Sequence, residues 1–128
     1  MVFDNFKHTE LTEEIIAAFY KVYNTLGYGF LERVYVNALV LELRNMGIQC
    51  DTNYQIAVYY ENEVVGEYYA DIFVDKNVIV EVKSAAELCL EHEYQLVNYL
   101  KATEIEVGLL LNFGKNPKVK RKVFSNEE

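Results

Sequence analysis

A chain of 128 residues, 52% hydrophobic and 25% charged, holds enough apolar material for one core, so a single domain with its core at about residues 9 to 124 is expected. A net charge of −8 argues against a protein that grips nucleic acid by bulk positive charge, because Lys and Arg contacts to phosphate drive non-specific binding. Two cysteines, Cys50 and Cys89, are too few for a disulfide framework and lack zinc-site spacing; no apolar run nears the roughly 18 residues of a membrane span, and Met1 to His8 shows no secretion leader, so a cytoplasmic protein without membrane contact is expected.

Along the chain, Thr9 and Thr12 precede Ile15, Ile16, Phe19, Val22, Tyr23 and Leu26, apolar residues three and four apart, which predicts an amphipathic helix ending at Gly27. A second helix is expected from about Leu31 to Met46 and stops at Gly47; the Gly27-Tyr28-Gly29 link forces a tight bend between the two. The period then changes. Gln49 to Tyr60, Val64 to Val74 and Val78 to Lys83 are rich in Val, Ile and Tyr and are separated by turn-like Glu61-Asn62-Glu63 and Asp75-Lys76-Asn77, which predicts a three-stranded antiparallel meander. A helix follows from about Leu90 to Lys101, a buried strand from Glu106 to Phe113 and, after Pro117, an edge strand from Lys118 to Phe124. The order is ααβββαβ(β), an α/β chain with no internal repeat.

The Asp75-Lys76-Asn77 hairpin fixes a register if Asn77 is its left-handed residue. With Val74 opposite Val78, Ile72 meets Val80 and Ala70 meets Val82 on an apolar face. On the other face Phe73 meets Ile79, Asp71 meets Glu81 and Tyr69 meets Lys83. Another loop length would break these pairs. Two carboxylates facing each other across a strand pair repel by on the order of 0.2 to 1 kcal/mol when exposed, and more when buried. A divalent cation offsets that, since Mg2+ accepts one or two carboxylates, keeps several waters and completes its shell with phosphate oxygens. Lys83, two residues beyond Glu81 on the same face, would order a water or stabilise phosphate charge. This is the equipment of metal-assisted phosphodiester hydrolysis. The plainer alternative is a lysine neutralising two acids on a solvated sheet, but the run Val78-Ile79-Val80 ahead of Glu81 indicates burial, where ionisable groups are paired or functional.

On the third helix His92, Gln95 and Tyr99 share one face, either overlooking the acids or simply facing solvent; Gln95 would orient the lysine or a water, and Tyr99 would meet a phosphate or a base. Glu32 heads the stripe Val36, Leu39, Leu43 and is expected on or beside the buried face, with the helix dipole as its simpler partner. Lys115, Lys118, Lys120, Arg121 and Lys122 crowd one late segment, a phosphate contact or a solubilising strand end.

Gly29-Phe-Leu-Glu32-Arg-Val-Tyr35 resembles the motif that gives the GxxExxY protein family its name, a family placed in the PD-(D/E)XK nuclease superfamily. The resemblance runs from about Leu11 to Phe113 and takes in Ala70-Asp71, Val78-Ile-Val-Glu81-Val-Lys83, His92-Glu-Tyr-Gln95-Leu-Val-Asn-Tyr99-Leu100 and the Gly108 to Gly114 strand and turn. It implies a restriction-endonuclease-like core with a central mixed sheet flanked by helices. It also implies that Asp71, Glu81 and Glu32 are metal-binding acids, that Lys83 is the catalytic lysine, and that Gln95 and Tyr99 form the Gln-x-x-x-Tyr pattern of the RecB-like branch. The departure is Ala70 where the superfamily name has proline. The implied activity is a Mg2+- or Mn2+-dependent nuclease, with the Val82 carbonyl as a further ligand and Lys118, Lys120, Arg121 and Lys122 on the nucleic acid. Hard oxygen donors favour Mg2+ over zinc. The superfamily contains degenerate members and the chain is small and acidic, so a non-catalytic module binding nucleic acid or protein is the alternative, and a structural interaction protein rich in tyrosine a third.

Overall fold

The computed structural model describes residues 7–125, so most of the Met1 to His8 segment lies outside the described residues. Two helices lead. In α1 (Thr9–Leu26) the buried residues include Ile15, Ala18, Phe19 and Val22, and in α2 (Glu32–Asn45) they are Tyr35, Leu39, Val40 and Leu43, the three-and-four spacing of one apolar stripe each. The expected threonine cap of α1 is not formed. His8, left-handed at φ 54, stands at the N-cap without a side-chain bond, and the buried Thr12 hydroxyl donates to the Thr9 carbonyl at 3.0 Å. Gly27 closes α1 at φ 71, where its amide donates to the Tyr23 carbonyl.

The strands are β1 (Cys50–Tyr60), β2 (Glu63–Val74), β3 (Val78–Lys83), β4 (Val107–Asn112) and β5 (Lys118–Val123), with α3 (Leu90–Lys101) between β3 and β4. They form one sheet in the order β1-β2-β3-β4-β5, antiparallel except for the parallel β3–β4 pair. A parallel pair needs a long crossover, and α3 supplies it. One core joins α1 and α2 to Val78, Val80, Val82, Leu109 and Leu111 on one face; a second joins Leu96, Tyr99 and Leu100 of α3 to Ile79 and Leu110 on the other. The result is the expected α/β arrangement, a mixed sheet flanked by helices.

Both hairpin turns use consecutive left-handed residues, Glu61 and Asn62 (φ 51 and 68) and Asp75 and Lys76 (φ 52 and 57). The left-handed position is therefore not Asn77, whose amide instead donates to the Val74 carbonyl at 2.9 Å. Paired left-handed residues match the twist of the flanking strands, which is why the turn takes this form. The register Val74↔Val78, Phe73↔Ile79, Ile72↔Val80 is as read from the sequence, but regular pairing stops there.

The faces also switch. Cys50, Ile72 and Val74 pack in the α1–α2 core, whereas Ile56 and Ala70 pack in the α3 core although they have the same parity along their strands. The change falls at Asn53, left-handed at φ 53, and at Asp71 opposite it, a pair missing from the β1–β2 register, which also slips once between Val58 and Tyr59. A left-handed residue breaks the period-two alternation, so Ala70 does not share the face of Ile72 as strict alternation requires.

Beyond β3 the chain is held to the end of β4. Fully buried Asn112 accepts a hydrogen bond from the Ala85 amide (2.9 Å) and donates to the Ala85 carbonyl (3.0 Å), while the Phe113 amide donates to the Lys83 carbonyl at 2.8 Å. A Cβ on Gly114 would stand 2.3 Å from the Ala85 carbonyl oxygen, a backbone atom that cannot rotate away. Gly114→Ala is accordingly expected to cost about 1–3 kcal/mol, the usual range for overpacking, read from the urea midpoint; an unchanged midpoint would mean that the Ala85 segment is not clamped in this way.

Candidate active site

The Asp71 and Glu81 carboxylates occupy the place where the β2–β3 ladder opens. Rather than pairing backbone to backbone, each side chain bonds to the other strand: the Asp71 amide donates to Glu81 Oε2, and the Val82 amide donates to Asp71 Oδ2, both at 2.8 Å. The expected Asp71–Glu81 pair is thus real as a neighbourhood, but it is made by side chains replacing backbone acceptors. In regular pairing the N–H and C=O of a residue point to the same flank. The alternate residues Asp75 and Phe73 face β1, as the Asp75 amide bond to Gln49 shows, yet the Asp71 amide is turned toward β3. Asn53 makes that turn possible by leaving Asp71 unpaired on the β1 side.

Burial sets the electrostatics. Glu81 is 5% exposed, and desolvation, followed by the Asp71 charge, pushes it from 4.5 up to about 8; the Asp71 amide and Lys83 oppose the rise and Glu32 adds to it. Asp71 is raised too, chiefly by desolvation with a contribution from Glu32, against the Val82 hydrogen bond and Lys83. Glu32, Asp71, Glu81 and Lys83 therefore act on one another through space. Glu32 is exposed, however, and does not lie on the buried face of α2. Its position at the first residue of the helix depends on the preceding bend, with Gly29 at φ 109, and on Tyr35 one turn later. The fully buried Tyr35 hydroxyl donates to the Gly27 carbonyl at 2.7 Å and accepts from the Phe30 amide at 3.2 Å, and its ring stacks on Phe113 at 4.3 Å. Gly29, Glu32 and Tyr35 thereby divide into a bend, a carboxylate and a fastening.

From α3, Tyr99 reaches the acids: burial and then the Glu81, Asp71 and Tyr68 neighbours push its hydroxyl up to about 12. At 5% exposed it is a wall of the site rather than a surface contact for a base. Gln95, one turn earlier, is half-buried on the same side. His92 does not join them. Its Nδ1 accepts from the Cys89 amide at 3.3 Å and closes the start of α3.

The basic segment is split by strand alternation. Lys120 pairs with Leu110, which pairs with Glu81, and Lys118 pairs with Asn112, which pairs with Lys83, so these lysines share the face of the acids two strands away, about 10 Å. Both are exposed. Lys122 is engaged by Glu93 at 2.6 Å, and Arg121 lies on the opposite face, donating to the Lys7 carbonyl, with burial lowering its pKa. Sequence reasoning missed Asn53 and Asn112, and it placed Tyr35 in a motif without giving it a role. Asn112 had left a signal as a lone polar residue ending the apolar run Val107 to Leu111.

The donor set suits a hard divalent cation. One oxygen of each carboxylate is tied to a backbone amide and the other is left over, and the Val82 carbonyl shares the flank of its amide, toward the open ladder. Among the described residues no three His, Cys, Asp or Glu side chains are grouped closely enough to hold a metal ion, so Glu32 is not gathered with Asp71 and Glu81 as the expected set of three acids requires. Without metal, the raised Glu81 contributes a pH-dependent part of stability. A folded-state pKa of about 8 against an ordinary 4.5 means that the folded form holds the proton more tightly. The stabilisation is complete below 4.5 and is lost as pH rises through about 8. Melting in EDTA is therefore expected to fall between pH 5 and pH 9, and Glu81→Gln, which keeps the acceptor without the charge, is expected to flatten that fall; an equal slope in the variant would place the titrating group elsewhere.

A family model described as the PD-(D/E)XK nuclease superfamily matches residues 9–123. No curated protein matches the chain. Among solved structures it is similar to the crystal structure of SSO0001, with a TM-score of 0.59 and 17% identity, over 74% of this chain and 50% of that one. The chain thus spans half the length of that protein, and at this identity the likeness is one of fold. Nucleases of the superfamily generally use divalent metals and act on nucleic acid. With its mixed sheet, its facing carboxylates and a family match over nearly its whole length, the chain belongs to the PD-(D/E)XK nuclease superfamily.

Proposed function

We propose that the protein is a Mg2+- or Mn2+-dependent nuclease that hydrolyses phosphodiester bonds, built as one domain and belonging to the GxxExxY family within its superfamily. The observation that carries this reading is the opened ladder at Asp71 and Glu81, where a buried and a half-buried carboxylate are kept together beside Lys83. Such an arrangement costs stability unless a cation or a proton neutralises it, so it is more economically explained by metal chemistry than by packing.

Asp71 and Glu81 would hold the cation with the Val82 carbonyl, and Glu32, exposed on the helix end, would add charge or hold a coordinated water. Bound there, a divalent cation supplies Lewis-acid activation of the phosphate and of the attacking water. Lys83 holds that water by hydrogen bonding and balances charge on the phosphate. Gln95 orients Lys83 or the water. Tyr99, protonated at neutral pH, offers a hydroxyl proton beside the acids. Lys118 and Lys120 extend the phosphate contact on the same face, with Lys122 joining only when it leaves Glu93. Arg121 is not assigned a part, because its strand position turns it away.

A second reading, a non-catalytic nucleic-acid or protein-binding module, draws support from Glu81, whose raised pKa leaves it protonated at neutral pH without metal. The two are separated by calorimetry with Mn2+. The wild type is expected to bind with release of protons, more weakly as pH falls because Glu81 must ionise, while Asp71→Ala shows no binding heat. With nucleic acid and Mn2+ present, Glu81→Ala is expected to lose more than about 10- to 100-fold in cleavage rate, the range for removing even an outer partner of a metal site. Cleavage unchanged in Glu81→Ala would sink the nuclease reading, and binding of nucleic acid without metal-dependent turnover would favour the module.

A further inference from the structure

A cleft of about 790 Å³ lies between the β1–β2 hairpin and α3. Val58, Val65 and Gly66 contribute apolar surface, and Tyr59, Tyr68 and Tyr94 line it while 65%, 48% and 61% exposed. Aromatic side chains left this open at one place, and drawn from two separate elements, mark a contact surface rather than a core. We infer that this cleft is a stacking site for the unpaired bases of single-stranded nucleic acid, leading the strand toward Asp71 and Glu81. The inference rests on the nuclease reading for the direction in which the strand runs.

Three features select this occupant. The cleft is continuous with the carboxylate site, since Gln95 and Tyr99 line it, and Tyr99 packs in one core with Ala70 and Ile79, close in sequence to Asp71 and Glu81. Tyr68 extends the aromatic wall outward, its ring 5.6 Å from that of Tyr99. Charge is the second feature. The charged residues lining the cleft are Glu91 and Lys101, one of each sign, so attraction there comes from the tyrosine faces rather than from phosphate contacts. Third, tyrosine faces take bases by stacking, and only unpaired bases present their own faces; paired bases in a duplex are covered by their neighbours. The volume lies within the roughly 300–1,000 Å³ of small-ligand pockets, enough for individual bases and far short of a double helix.

The test is fluorescence anisotropy in EDTA, where cleavage plays no part. A labelled oligonucleotide of about 12 residues, within the span of common single-strand sites, is compared as DNA, as RNA and as a hairpin duplex of the same sequence. Tighter binding of either single strand than of the duplex is expected, and the DNA and RNA arms identify the sugar preferred. Tyr94→Ala is expected to weaken single-strand binding about 5- to 150-fold, the range that one base stack provides, while Tyr94→Phe, which keeps the ring, stays within about twofold of wild type. Tyr59→Ala, at a second exposed position, is expected to weaken it in the same direction. Preference for duplex, absence of binding to any of the three, or binding unaffected by both alanine variants would overturn the stacking site. The outcomes separate it from the nuclease reading: ring-dependent binding without Mn2+-dependent cleavage keeps the cleft and removes the catalysis, whereas Mn2+-dependent cleavage indifferent to Tyr94 and Tyr59 does the reverse.

Discussion

Two carboxylates meet at one strand junction, Glu81 buried and Asp71 half-buried, and the surrounding structure is shaped by that encounter. Burial raises the pKa of both, the Asp71 charge raises Glu81 further, and two 2.8 Å bonds from backbone amides together with Lys83 offset part of the cost. Those amides are available only because regular pairing fails on both sides of Asp71. β3 stops pairing after Val80, and β1 withholds a partner at Asn53. A left-handed asparagine in the middle of a strand carries strain of about 1 kcal/mol or more. What it permits is an Asp71 amide turned toward Glu81, and without that turn the Glu81 carboxylate would be buried beside a like charge with no donor for Oε2.

The elements around the junction hold it from three directions. Parallel pairing with β4 brings Asn112 level with Lys83, and the bonds of Asn112 to Ala85 fix the chain immediately after the lysine. From α2, Tyr35 anchors the bend that carries Gly29, so the charge of Glu32 is delivered from a helix whose start is pinned to Phe113 at the end of β4. From α3, Tyr99 closes the side facing the cleft. A side chain buried to this degree lowers the local dielectric and strengthens every interaction among the acids, Lys83 and any cation that joins them.

The layers of this fold and the identity of its acids were legible in the sequence because they are recorded as periodicity. Leu90–Lys101 emerges at the bounds read from its apolar spacing, and Val74 faces Val78 and Ile72 faces Val80 as the hairpin length dictates. What was not legible is where regularity ends. Nothing in the alternation of Tyr69 to Val74 reveals that an aspartate oxygen will take the place of a backbone carbonyl, so strict alternation extends the ladder three pairs too far and puts Ala70 on the wrong face. The role of Asn112 was hidden for another reason: its partner Ala85 is 27 residues away, and a bond between a side chain and a distant backbone leaves no local pattern. Strand alternation could have excluded Arg121, since it falls out of step with Lys118, Lys120 and Lys122; the basic cluster was read as a block when a strand displays it on two faces.

An acidic protein must solve a particular problem if its substrate is a polyanion. Of the cations on the site face, Lys118 and Lys120 are exposed, Lys122 is occupied by Glu93, and Lys83 is committed beside the acids. Counterion release scales with the number of phosphates neutralised, so so few cations give weak, shallowly salt-dependent attraction. Affinity then has to come from terms that do not depend on net charge. A divalent cation bound between Asp71 and Glu81, as proposed, would reverse the local sign of the field at that point, and aromatic surface in the adjoining cleft would add attraction that is indifferent to the charge of the rest of the molecule. Under that proposal a net charge of −8 is compatible with a polyanionic substrate, because neither contribution needs a basic surface.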